Sequence, residues 1–251
     1  MKRFFLMTLI ALLGTTANAE SPEASPKILD TLSRQGISIV EPMSAPVGLQ
    51  GFIGRYNGQL LEVYVTPDQD HLIVGTMLNA KGERTAEQAL SAATNSGLDW
   101  AALGETHWVG EGEVGAKRVV YAFMDPNCPY CALFWAKAQP YLAQGDVELR
   151  HILVGMLHPS STPKAATILA SQSPAKAMAE HLRNMKQGGI KVVNNIADEF
   201  ISDVESNTKT MKAMGIFATP AVIYKDSQGR IQQAQGLPND SIMSQQIFFR
   251  E

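Results

Sequence analysis

The stretch from Val119 to Cys131 limits what this chain can fold into more than any other. Val119-Val120-Tyr121-Ala122-Phe123-Met124 is apolar, β-branched and aromatic over the length of a strand, and Asp125-Pro126-Asn127 closes it as a turn. Cys128-Pro129-Tyr130-Cys131 follows, and Ala132–Gln139 then runs without glycine or proline, as a helix does. Cys128 is therefore expected where a strand hands over to a helix. Pro129 falls in the first helical turn, where its missing N–H costs nothing. These are the only two cysteines in 251 residues.

A helix start favours a thiolate over a thiol, because its unpaired N–H groups and the positive end of its dipole face the sulfur. Cys128 is thus the expected nucleophile, with a pKa in the range of about 3.5–7.5 typical of such cysteines. Cys131, one turn on and on the same face, is placed to resolve a mixed disulfide. Two plainer readings compete. A zinc site needs about four ligands, and none of His71, His107, His151, His158 or His181 stands at a ligand-like spacing from the pair. A purely structural bridge would close a loop so small that it would hardly restrain the unfolded chain. No metal or cofactor is implied.

Lys2 and Arg3 precede an apolar run from Phe4 to Leu13 and small residues ending at Ala17-Asn18-Ala19, the pattern of a secretory signal peptide over residues 1–19. A periplasmic location is the expectation. An exported domain that relied on disulfides for stability would usually carry several, so a lone pair reads as the working part of the molecule. Loss of Lys2 and Arg3 from the 21 basic residues leaves 19 against 24 acidic ones. No basic field exists to bind nucleic acid.

The rest of the chain reads as two kinds of pattern. After a short helix from Pro26 to Gln35, ended by Gly36, strand-like runs occupy Ile37–Val40, Leu49–Tyr56, Leu60–Val65 and Leu72–Leu78. Asn57-Gly58 is a hairpin signal between two of them. A segment of this size is marginal alone, so it pairs either with a partner or with the rest of its own chain. Residues 83–104 read as a linker helix weakened near Asn95-Ser96-Gly97. From residue 105 strands alternate with helices, as in an α/β domain: strands at His107–Val109, Val119–Met124, Val147–Val154, Ala221–Tyr224 and Ile231–Gln235, with a mainly helical region over 163–213.

Thr219-Pro220 directly precedes the strand Ala221–Tyr224. Such a proline either simply starts the strand or, on a thioredoxin scaffold, is a cis-proline facing the CxxC, with nearby backbone free to pair with an incoming peptide. His107 and His151 are general acid/base candidates only weakly, and structural roles suit them better. Trp135 reads as core or cleft lining, and Asp125 as a turn residue.

Taken in order, Gln35-Gly36-Ile37, Thr106-His107-Trp108, Asp125–Cys131, Leu153-Val154-Gly155, Ala165–Ser171, Ala218-Thr219-Pro220-Ala221 and Gly236-Leu237-Pro238 resemble the thiol:disulfide interchange proteins of the DsbC/DsbG type. The Pro129-Tyr130 pair points toward the DsbG branch. Asn127 departs from it, since an aromatic residue is expected there. The resemblance implies an α+β dimerisation domain over residues 20–82 (a small antiparallel sheet plus a helix), a linker helix over 83–104 and a thioredoxin-like α/β catalytic domain with a helical insertion over 105–251. It also implies a V-shaped homodimer. By that resemblance Cys128 attacks, Cys131 resolves, and Pro129, Tyr130, Thr219 and Pro220 meet the substrate.

The expected activity is that of a disulfide isomerase and reductase, including reduction of sulfenic acids on single cysteines, with chaperone activity beside it. Misfolded or sulfenylated periplasmic proteins would be its clients, and a membrane reductant of the DsbD type would keep the pair reduced. Two alternatives stand against this: a DsbA-like disulfide donor, since redox direction follows potential rather than motif, and a non-catalytic holdase, which would survive Cys128→Ala.

Overall fold

The computed structural model describes residues 26–46 and 48–249. The expected signal peptide and its cleavage point lie outside the described residues.

The described chain enters through a 3₁₀ turn, Lys27–Leu29, that continues into α1 (Asp30–Ser33) and stops at Gly36, whose φ of +80° suits glycine. Leu29 and Leu32 point into the core. Four strands then form an antiparallel sheet in sequence order: β1 (Ser38–Met43), β2 (Gln50–Tyr56), β3 (Gln59–Val65) and β4 (Leu72–Val74). The β2–β3 connection is the expected two-residue turn, with φ of +48° at Asn57 and +82° at Gly58. In this sheet two boundaries differ from expectation by more than one residue. β1 extends through Pro42, which an edge strand tolerates. β4 stops at Val74 because the chain bends so that the Met77 amide donates to Glu62 Oε2 at 3.1 Å.

Strand alternation gives this sheet two covered faces. Phe52, Val63 and Val65 pack against Leu29 and Leu32, while Ile53 packs against Leu90 and Ala93 of α2 (Glu87–Asn95). Glu62 lies opposite Ile53 and is buried. Its carboxylate accepts from the Tyr64 hydroxyl at 2.5 Å and pairs with Arg84. Burial pushes this carboxyl up, but the bonds from Tyr64, Arg84 and Met77 outweigh it and hold the group below the usual carboxylate range.

The helix expected over 83–104 is two helices. After α2 the chain breaks at Ser96-Gly97, and α3 (Trp100–Gly104) restarts with Asp99 as its cap, accepting from the amides of Ala101 and Ala102. Asn95, at the end of α2, donates to Gln232 Oε1 at 2.9 Å.

The second sheet holds β5 (Trp108–Gly112), β6 (Arg118–Met124), β7 (Val147–Leu153), β8 (Ala221–Lys225) and β9 (Ile231–Gln235) in the order β5-β7-β6-β8-β9. β6 runs parallel to β7, with α4 (Pro129–Leu142) as the crossover, and antiparallel to β8. Between β7 and β8 come α5 (Ser161–Leu169), α6 (Pro174–Arg183) and α7 (Asp198–Ala213), the expected helical insertion; the chain closes with α8 (Asp240–Ile242) and a π turn. β6 is buried on both faces, which is why it reads as a continuous apolar run. Val120, Ala122 and Met124 pack in the cluster that includes Phe134 and Met178, while Tyr121 and Phe123 pack with Leu103, Met211 and Ile216.

Antiparallel pairing of β6 with β8 matches Phe123 with Ala221. The end of β6 and the start of β8 therefore meet at one end of the sheet's central strands. Close by, the first sheet touches the second part of the chain, since a Cβ on Gly58 would lie 2.2 Å from the Phe217 ring.

Candidate active site

Cys128 is the N-cap of α4, with extended backbone (φ −87°, ψ 112°) and Pro129 in the first turn, as its position between a strand and a helix predicts. The Cys131 amide donates to the Cys128 carbonyl at 3.1 Å, closing that turn. Both thiols are free and buried, Cys128 at 2% exposure and Cys131 at 0%. Pro129 and Tyr130 stand exposed beside them.

Thr219-Pro220 comes to the same place from the other half of the domain. Its peptide bond is cis, and the Cys128 thiol donates to the Thr219 carbonyl at 3.2 Å. The Thr219 hydroxyl is buried and has no hydrogen-bond partner among the described residues. All six residues expected at the site, Cys128, Cys131, Pro129, Tyr130, Thr219 and Pro220, thus gather at the start of α4 and the start of β8.

The two sulfurs differ electrostatically. Cys128 is lowered to about 6, chiefly because the Cys131 thiol hydrogen-bonds to it; burial opposes this, and the Thr219 side chain and the amides of Cys131 and Tyr130 add to it. Burial pushes Cys131 well above the ordinary thiol value, and the neighbouring Cys128 sulfur pushes it further. At neutral pH the pair therefore holds one thiolate and one thiol.

The turn before Cys128 is tied down residue by residue. Asp125 is fully buried; one carboxylate oxygen accepts from the Asn127 amide at 2.8 Å and the Ser161 hydroxyl at 2.7 Å, the other from the Met156 and Leu157 amides at 2.8 and 2.9 Å. Pro126 gives its carbonyl to His181 Nε2 at 2.7 Å. Asn127 receives Lys164 Nζ at 2.8 Å and donates to the hydroxyls of Ser160 and Ser161. The sequence marks Asp125 as a turn residue but gives no local sign of Ser161, Lys164 or His181. The Gly188-Gly189 break beside His181 was the one available hint.

The two histidines weighed for acid–base chemistry have partners of their own. His107 pairs with Asp203 at 3.3 Å, and the buried His151 pairs with Glu111 at 3.0 Å, where Trp135 Nε1 also donates at 2.9 Å. Among the described residues no group of three or more His, Cys, Asp or Glu side chains could hold a metal ion, and no helix is long and apolar enough to cross a membrane.

Known proteins resemble this chain over most of its length. The family model described as a thioredoxin-like domain matches residues 113–249. The thiol:disulfide interchange protein DsbG of Escherichia coli K12 is 36% identical over 240 residues, which is 94% of this chain and 95% of that protein. The DsbG of Pseudomonas aeruginosa is 35% identical over 223 residues, 88% of this chain and 87% of that one. Among solved structures, a linker-deletion variant of Proteus mirabilis ScsC superposes with a TM-score of 0.51 at 21% identity, covering 62% of this chain and 82% of that one, a likeness of fold.

Proposed function

The chain belongs to the DsbC/DsbG-type thiol:disulfide interchange proteins and is a thiol-disulfide oxidoreductase acting on protein substrates; from this premise we propose that Cys128 is its nucleophile and Cys131 its resolving cysteine. The observation that carries the assignment is the place of Cys128 at the N-cap of α4, its sulfur 3.2 Å from the Thr219 carbonyl before the cis-proline, with Cys131 one turn further in and fully buried; the lowering of Cys128 to about 6 and the raising of Cys131 agree with it.

The Cys128 thiolate attacks one sulfur of a substrate disulfide, a new S–S bond forms, and the other substrate sulfur leaves as thiolate. Cys131 then gives up its proton and attacks Cys128, which releases the substrate sulfur and leaves Cys128 and Cys131 bridged. In isomerisation a second substrate thiol resolves the mixed disulfide instead, and the pair stays reduced. With a sulfenic acid the thiolate attacks the oxidised sulfur, the S–O bond breaks, and the oxygen leaves as hydroxide that takes a proton from solvent to become water. Thr219, Pro220, Pro129 and Tyr130 form the substrate contact surface in this reading. The Thr219 hydroxyl, unpaired while Cys128 is a thiol, is available once the sulfur is charged.

The same reading extends to the whole chain. Residues 1–19 export it to the periplasm, 20–82 pair two copies into a homodimer, 83–104 link, and 105–251 carry the chemistry, with a membrane reductant of the DsbD type restoring the dithiol and a chaperone role toward partly folded clients. The test is the redox state of the pair in envelope extracts after acid quench and thiol alkylation. Support is a pair that is reduced in the parent strain and oxidised when the membrane reductant is deleted. A pair oxidised in both strains overturns the reductase reading in favour of a disulfide donor.

A further inference from the structure

The nucleophile loop is held from behind by an imidazole that the reaction does not use. His181, on α6, is 1% exposed. Its Nδ1 accepts the Ile190 amide at 2.9 Å, and its Nε2 lies 2.7 Å from the Pro126 carbonyl. A backbone amide can only donate and a carbonyl can only accept, so these two partners require a neutral ring with its proton on Nε2. The ring's surroundings are built around it. Gly189 has φ of +67°, and a Cβ there would come within 2.3 Å of His181 Nδ1. Lys164, from α5, bridges Asn127 Oδ1 and the Gly188 carbonyl, the latter at 2.9 Å. The segment that closes over the imidazole is thus tied to the residue before Cys128.

We infer that His181 is a positioning residue for Cys128, acting through the Pro126 carbonyl to keep the start of α4 aligned with the attacking sulfur. This rests on the assignment of Cys128 as nucleophile. The amides of Tyr130 and Cys131 favour the thiolate only while that turn is correctly aimed. Loosening Pro126, two residues earlier, loosens the aim. Lys164 and Asp125 are the charged groups facing the ring, and burial, its largest influence, disfavours its cationic form.

Two conservative variants separate the ring's two bonds. His181→Gln can keep a donor where Nε2 was, and His181→Asn an acceptor where Nδ1 was. The readout is the pH profile of Cys128 alkylation, with thermal unfolding recorded alongside. His181→Asn is expected to move the Cys128 midpoint upward and slow alkylation at pH 6 by about threefold, whereas His181→Gln stays near the parent profile. Two variants that lose stability but keep the parent midpoint would reduce His181 to a structural role and overturn the inference. Where a variant does not fold, nitrogen NMR of the parent protein decides: Nδ1 bare and Nε2 protonated at pH 7 is required, and the opposite tautomer overturns it. Failure of the underlying assignment looks different, because the parent protein itself would then show no low-pH midpoint at Cys128.

Discussion

The Cys128 thiol donates to the backbone carbonyl of Thr219 at 3.2 Å, while the hydroxyl of the same threonine lies buried and unpaired beside it. One residue thus offers the sulfur an acceptor when it is protonated and a donor when it is not. Thr219→Val keeps the shape and removes only the donor. The expected outcome is a Cys128 midpoint raised above about 6, read from the pH dependence of alkylation, with little change in stability; an unmoved midpoint would show the hydroxyl to be idle.

The lowered Cys128 pKa also makes stability of the reduced protein depend on pH. An ordinary thiol here would titrate near 9.0, and the folded one does so at about 6. The unfolded chain holds its proton more tightly between those values, so the thiolate's contribution grows from pH 6 to 9 and is lost as pH falls through 6. At pH 7 it amounts to about 1 kcal/mol. Chemical denaturation of the reduced protein and of Cys128→Ala, at pH 5.5 and 8, should show the gap between them changing in favour of the parent at pH 8.

Cys131→Ala should trap substrate. Without the resolving sulfur the mixed disulfide on Cys128 has no internal exit, so covalent adducts accumulate on non-reducing gels, and Cys128→Ala forms none. Adducts that form equally on Cys128→Ala would reverse the assignment of the two cysteines.

Asp125 shows how much a buried carboxylate can hold. It receives four hydrogen bonds, two on each oxygen. Asp125→Asn turns one acceptor into a donor that faces donors, at a cost of about 2–4 kcal/mol. Hydrogen exchange at the Met156 and Leu157 amides should accelerate with it, and unchanged protection there would show that these bonds are not what Asp125 contributes.

In the first sheet, Glu62 has its pKa held low by Tyr64, Arg84 and Met77 against the pull of burial. Its contribution to stability is therefore present above the ordinary carboxylate value and lost as pH falls through the lower folded one. Glu62→Gln should destabilise by about 1–3 kcal/mol at pH 7, with a smaller difference in acid. A difference that does not shrink in acid would point to packing rather than charge.

What could be read from the sequence was local. The strand, turn and helix around Cys128 follow from residues within a dozen positions, and the Asn57-Gly58 hairpin and the break at Ser96-Gly97 are set by the residues themselves. Long-range partners were not legible. β4 ends early because Met77 reaches Glu62, and the Cys128 loop is held by Ser161, Lys164 and His181, whose partners lie tens of residues away in the chain. Nothing in a lone histidine on an amphipathic helix distinguishes a strut from an ordinary core residue. The burial of Glu62 was hidden for the same reason, since a charged residue in a strand reads as solvent-facing until its partners are known.

The pairing of Phe123 with Ala221 has one more consequence. Cys128 follows β6 and Thr219 precedes β8, so the register of two neighbouring strands brings them to the same end of the sheet. A slip of one residue would turn Val222, now in the core, to the opposite face. The same strand pairing thus fills both apolar clusters around β8 and brings the two halves of the reactive centre together. Folding therefore sets the geometry of the centre, while its redox state is set afterwards by exchange with other thiols.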